Sequence, residues 1–201
     1  PPRVSRGPVF LSTVPAQRRD RRYAAIVIGV SAAIFLLAIP FAKLPLTPVW
    51  AFIPVYESAL VVNDLITAIL LFGQFELLRS RALLVFASAY LFTAFVAIAH
   101  ALTFPGLFAP AGLLGAGPQS TAWLYMFWHA GFPLFVIAYV VLSPRGHERE
   151  VQGRTGIAVA SSATAAFVAA CLLTLIATAG HLSLPEIMQG NRYTPAMLGT
   201  V

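Results

Sequence analysis

The sequence predicts an all-α, polytopic transmembrane helical bundle with five visible spans, more beyond the C-terminal end, and a cytoplasmic N-terminus. Three observations predict it. Hydrophobic residues are 59% of the chain and charged residues only 10%, against about 25% charged in a soluble domain. Apolar runs of the ~20 residues needed to cross a bilayer core recur along the chain, separated by short Pro, Gly or Arg segments. Short segments of alternating polarity, which would signal a membrane β-barrel, are absent. The mean hydropathy of +0.82 agrees.

Residues 1–22, PPRVSRGPVFLSTVPAQRRDRR, are rich in Pro and Arg and carry no helical or strand period. They read as a basic cytoplasmic tail beside an anionic leaflet, with residues 23–201 as the membrane-embedded domain. Span one runs from Tyr23 to about Phe41. A basic start before an apolar run also describes a signal peptide, but this run is long for one and no clear A-x-A cleavage pattern follows. Lys43-Leu44-Pro45-Leu46-Thr47-Pro48 breaks the chain, and Trp50 suits an interfacial anchor.

Span two, about Phe52 to Leu78, is the stretch with chemistry in it: it carries Glu57, Asn63 and Asp64. Glu57 and Asp64 are seven residues apart, so they return to nearly the same helix face. Ionisable groups inside a span face a bundle interior or a cavity and are a functional hypothesis by default. Span three runs from about Ala82 to Thr103, with His100 near its end. The loop from Phe104 to Ser120 is apolar, uncharged and rich in Gly and Pro. It is read as an interfacial connection, with a lid over the bundle mouth as the competing reading.

Span four, about Thr121 to Leu142, carries Trp123, Tyr125, Phe127 and Trp128, with His129 inside it and Pro133 as an expected kink. The polar turn SPRGHEREVQGR follows. Span five, about Thr155 to Ala179, repeats small residues every four positions, Ala158, Ser162, Ala166 and Ala170, a spacing that allows close helix approach. The tail from Leu182 reads as a loop leading toward a sixth span. The chain starts at Pro1 and stops at Val201, and is read as a piece of a longer protein.

Charge sets the orientation. With the N-terminus inside, inner segments hold Arg3, Arg6, Arg18, Arg19, Arg21, Arg22, Arg79, Arg81, Arg145, Arg149 and Arg154. Outer segments hold only Lys43 and Arg192, which satisfies the positive-inside rule. The net charge of +6 therefore reflects span ends, and no nucleic-acid partner is expected. The lone Cys171 sits in an apolar run as a small packing residue.

This topology gathers Glu57, Asp64, His100, His129 and His181 in the outer half of the bundle, Asp64 about 10 Å deeper than Glu57 and His129 about 12 Å deep. Three readings follow. His100 and His129 could hold haem iron or a metal ion from facing helices, although no H-x-x-x-H or C-x-x-C-H spacing supports it. The site could take a small ligand or quinone against the aromatics of span four. Or these groups pair with one another and with backbone carbonyls, and fix helix packing.

The runs VYESALVVNDLITAILLFGQFELLRSRALLVFASAYLFTA, HALTFPGLF and GPQSTAWLYMFWHAGFPLFVIAY resemble the MASE4 family of bacterial integral membrane sensory domains. The pattern N-D-x-x-T-A-x-L-L with H-A-L-T-F-P-G and W-x-x-x-F-W-H-x-G-F-P carries the likeness, from about Arg22 to the end. Asn63, Asp64, His100, Pro105, Trp128, His129 and Pro133 match it. The resemblance implies an N-terminal input domain, in the bacterial cytoplasmic (inner) membrane, of a sensor histidine kinase or a diguanylate cyclase, with the effector in the same polypeptide and a homodimer as the assembly.

The expected function is a signal-sensing domain that binds a ligand or cofactor in the outer half of the bundle. Its expected ligand-binding residues are Glu57, Asn63, Asp64, His100, Trp128 and His129, with His100 and His129 as the haem or metal candidates. No GGDEF, phosphoacceptor or ATP-binding motif lies in this chain, so no catalytic residue is expected in it. The competing classes are a membrane redox or transport protein, of which a transporter should show inverted repeats and no clear repeat is seen between spans one to three and four onward, and a structural subunit of a membrane complex.

Overall fold

A computed structural model describes residues 17–41, 44, 47, 49–143, 151–189 and 192–195. The basic tail up to residue 16, Lys43, the turn 144–150 with Arg145, His147 and Arg149, and the approach to a further span from residue 196 lie outside the described residues. The chain divides into two compact units, Pro1–Pro48 and Val49–Val201.

The described residues contain five helices long and apolar enough to cross a membrane. They are α1 (Arg18–Ala38), α2 (Phe52–Leu78), α3 (Arg81–Thr103), α4 (Ser120–Leu142) and α5 (Thr155–Thr178). The first unit is α1, extended by a 3₁₀ turn over Ile39–Phe41. It starts five residues before the expected Tyr23, so the end of the basic tail is helical. The Asp20 carboxylate accepts the Gln17 backbone N–H at 2.9 Å and closes the first turn, and the Arg residues that follow are good helix formers.

In the second unit α3 is the centre. α2, α4 and α5 all pack on it, and its Phe92, Val96 and Ala99 form one core with Leu124 of α4 and Ala166, Ala170 and Ala177 of α5. The four-residue repeat in α5 is the reason: Ala166 and Ala170 are buried while Ala158 and Ser162 are half-buried. Helices in lipid gain nothing from burying apolar surface against each other, so small residues and polar pairs decide who packs on whom. α4 approaches α3 at Gly131, where a Cβ would lie 2.6 Å from the Phe92 ring. Its outer face, Leu134, Ile137, Val140 and Val141, is exposed. Such an unbroken apolar face would be a liability in water and is natural against acyl chains.

α2 and α3 form a helical hairpin with a two-residue corner. Arg79 adopts the left-handed conformation (φ 53°), and its N–H caps the Phe75 carbonyl at 2.7 Å. Val151 N–H donates to the Arg79 carbonyl and the Arg79 guanidinium donates to the Gly153 carbonyl, so the segment before α5 docks on this corner.

The loop between α3 and α4 folds back onto the end of α3. Leu113 N–H donates to the Leu102 carbonyl at 2.7 Å, and the Thr121 hydroxyl to the Thr103 carbonyl at 2.9 Å. Gly112 (φ 80°) passes so close that a Cβ there would sit 2.2 Å from the Thr103 oxygen. The C-terminal stretch departs from the expected plain loop. It forms a short antiparallel hairpin, β1 (Met188–Gln189) with β2 (Arg192–Tyr193). The buried Gln119 amide holds it, accepting the N–H groups of Ile187 and Met188 and donating to the Met188 carbonyl.

Candidate functional site

α2 buries four side chains, and two of them are carboxylates: Glu57 at 3% exposure and Asp64 at 8%. Both meet α3. The His100 imidazole N–H at Nδ1 donates to Glu57 Oε1 at 2.6 Å, and the Thr93 hydroxyl donates to Asp64 Oδ2 at 2.7 Å. Glu57 and Asp64 are seven residues apart going forward, and His100 and Thr93 seven apart going backward. That is the register of an antiparallel helix pair, repeated after two turns or about 10 Å.

The two contacts differ in what they leave open. The Thr93 hydroxyl also lies 2.8 Å from the Tyr90 carbonyl, so its one proton is shared between two acceptors, and the Asp64 contact reads as a fastener. At the other contact His100 is buried among the rings of Phe104, Tyr125 and Trp128, at centroid distances of 5.9, 6.3 and 6.2 Å. Glu57 Oε2 is buried and has no hydrogen-bond partner among the described residues. A buried acceptor left unpaired costs about 1–3 kcal/mol, and more when it is charged. Glu57 lines a cleft of about 340 Å³ between α2, α3 and the α3–α4 loop. Ser58, Val61, Ala101 and Phe108 are among its other walls.

The structure brings Glu57, His100 and Trp128 into one cluster and sets Asp64 on the same seam. Asn63 does not join it: it is exposed, and its backbone carbonyl accepts the Thr67 hydroxyl. His129 is exposed on α4, stacked on Tyr125 with centroids 3.8 Å apart, and its Nδ1–H donates to the Tyr125 carbonyl. It touches Trp128 by its ring, at 5.1 Å. For the haem or metal expectation this leaves only Nε2 on each histidine. Among the described residues no three His, Cys, Asp or Glu side chains are grouped to hold a metal ion.

Thr93 is not among the residues expected from the sequence, and Tyr125 is expected only as one of the span-four aromatics. Thr93 was findable: an antiparallel partner for Asp64 must lie seven residues before the partner for Glu57.

The model of the family described as a membrane-associated sensor, integral membrane domain (MASE4) matches residues 47–197. The chain belongs to the MASE4 family. The match covers α2 to α5 and the C-terminal hairpin and begins next to the boundary between the two units, so α1 lies outside it, contrary to the expected start near Arg22. No curated protein and no solved structure matches the chain. As a MASE4 domain it is a multi-pass membrane sensor domain, and the Glu57–His100 cluster is its candidate site.

Proposed function

We propose that the Glu57–His100 pair is the sensing site of this domain. In this reading a signal molecule enters the cleft between α2 and α3, and its occupancy changes how the two helices pack. The change is passed to a cytoplasmic histidine kinase or diguanylate cyclase module in the same polypeptide, which works as a homodimer in the bacterial inner membrane with the N-terminus in the cytoplasm.

The observation that carries the reading is the buried Oε2 of Glu57, unpaired among the described residues, on a side chain that lines a cleft. A pair that only fixed helix packing would be expected to leave no buried acceptor unpaired, and Glu57 Oε2 is such an acceptor among the described residues. A ligand shifts a two-state equilibrium only through differential affinity. A group that satisfies Oε2 in one arrangement of α2 and α3, and not in another, supplies that difference.

The test is effector output of the full-length protein in membranes, with Glu57→Gln, His100→Gln and the lipid-facing control Ile137→Ala. Glu57→Gln and His100→Gln should shift the output several-fold while Ile137→Ala does not. Unchanged output in both site variants, at normal protein levels, sinks the proposal.

A further inference from the structure

We infer that the cleft takes a small amphiphile with an apolar body and one terminal hydrogen-bond donor, an O–H or N–H, that docks on Glu57 Oε2. The inference rests on the reading of Glu57–His100 as the sensing site, and adds the chemical class of the ligand.

The walls decide the body of the ligand. Apart from Glu57 and Ser58, every lining residue is apolar: Pro54, Val61 and Val62 from α2, a run of Ala, Ile and Leu from α3, and Leu107 with Phe108 from the loop. A volume of about 340 Å³ lies at the small end of the range of ligand pockets. The rim includes Val62, Ile98 and Phe108, all exposed and all apolar. Two of them lie inside helices long and apolar enough to cross a membrane. The mouth therefore suits a molecule that first dissolves in the bilayer.

The head of the ligand follows from the one polar vacancy. His100 occupies Oε1 of Glu57, a cleft-lining residue, and leaves Oε2, a pure acceptor, buried and unpaired among the described residues, to be reached when α2 and α3 shift. A carboxylate accepts and does not donate. A head group that only accepts, such as an ether or a ketone, gains nothing at Oε2 and can take only the Ser58 hydroxyl at the wall, and an anionic head is repelled. The end of a lipid acyl chain fills the apolar space and still leaves Oε2 unpaired. A hydroxyl or an amine satisfies it, and the closed position of Oε1 makes one donor sufficient.

The probes are 1-octanol, octylamine, 1-methoxyheptane and octanoate, titrated at matched membrane mole fraction. The full-length protein is held in phosphatidylcholine nanodiscs, whose headgroups carry no N–H. Tryptophan emission is the readout, since Trp128 packs against His100. Octanol or octylamine should give a saturable change at least about tenfold tighter than the ether or the acid, the ratio set by one hydrogen bond to a charged acceptor. Which of the two is tighter identifies a hydroxyl or an ammonium head.

Glu57→Gln keeps an acceptor for His100 and turns an N–H toward the cleft, so it should erase the alcohol's advantage over the ether. Ala101→Phe should fill the cleft and abolish saturable binding of all four. Equal binding of alcohol and ether, preference for octanoate, or no effect of either substitution overturns the ligand class. If the donors fail to bind yet Glu57→Gln still shifts effector output, the ligand class falls and the sensing site stands. If they bind with the expected preference and output does not respond, the sensing reading falls.

Discussion

His100 Nδ1 lies 2.6 Å from Glu57 Oε1, with both side chains buried, and the second carboxylate oxygen of Glu57 has no partner among the described residues. The pair is thus half of a polar network. Removing one member of a buried hydrogen-bonded pair leaves the survivor buried and unpaired. His100→Ala should lower stability by about 1–3 kcal/mol, seen as a fall in the melting temperature in detergent. His100→Gln, which keeps a donor, should recover most of it. In the double variant with Glu57→Ala the loss should be smaller than the sum of the two single losses.

Asp64 and Thr93 form the second contact of the α2–α3 seam. Thr93→Val deletes the only donor to Asp64 among the described residues and should cost about 1 kcal/mol. Thr93→Ser should cost less. Because this contact lies about 10 Å along the helices from Glu57, Thr93→Val and Glu57→Gln should add within about 0.5 kcal/mol. A larger coupling, measured by a double-mutant cycle, would mean that the two contacts move as one unit.

The α3–α4 loop supplies Leu107 and Phe108 to the cleft and is pinned to the end of α3 at Gly112. Gly112→Ala meets both a left-handed backbone and the Thr103 carbonyl, so its cost should exceed about 2 kcal/mol. Gly115 (φ 69°) has the same backbone demand in open space, so Gly115→Ala should cost only about 1 kcal/mol. Thermal melts of the two variants check the order, and the reverse order would mean that the loop is not pinned there.

Gln119 joins the start of α4 to the C-terminal hairpin through three hydrogen bonds. Gln119→Leu leaves two backbone N–H groups and one carbonyl unpaired. The amides of Ile187 and Met188 should then lose protection in hydrogen exchange, while those of α3 keep theirs. Protection unchanged at both amides would show that the buried Ile187 side chain alone holds the hairpin.

The α2 helix shows how far the sequence could be read. Its length, its hydropathy and the seven-residue spacing of Glu57 and Asp64 state that a helix crosses a membrane with one acidic face turned inward, and the structure buries both carboxylates. The same reasoning could not separate Asn63 from Asp64. Adjacent residues differ by about 100° around a helix, so one faces α3 and the other is exposed. It also treated His100 and His129 alike, although α4 is rotated so that Trp128 meets His100 while His129 stacks on its own helix at Tyr125.

The sequence alone determined the class of protein, the five apolar helices and their approximate ends, and the family to which α2 to α5 belong. These depend on composition and on local period, which act within a segment of some twenty residues. Only the tertiary structure decided that Glu57 pairs with His100, that Thr93 answers Asp64, that Asn63 and His129 stand outside the cluster, and that Gln119 folds the C-terminal stretch into a hairpin. Those outcomes depend on the rotation and register of one helix against another. In a bundle where nearly every face is apolar, rotation and register are set by small residues and a few polar contacts across helices, which no single segment contains.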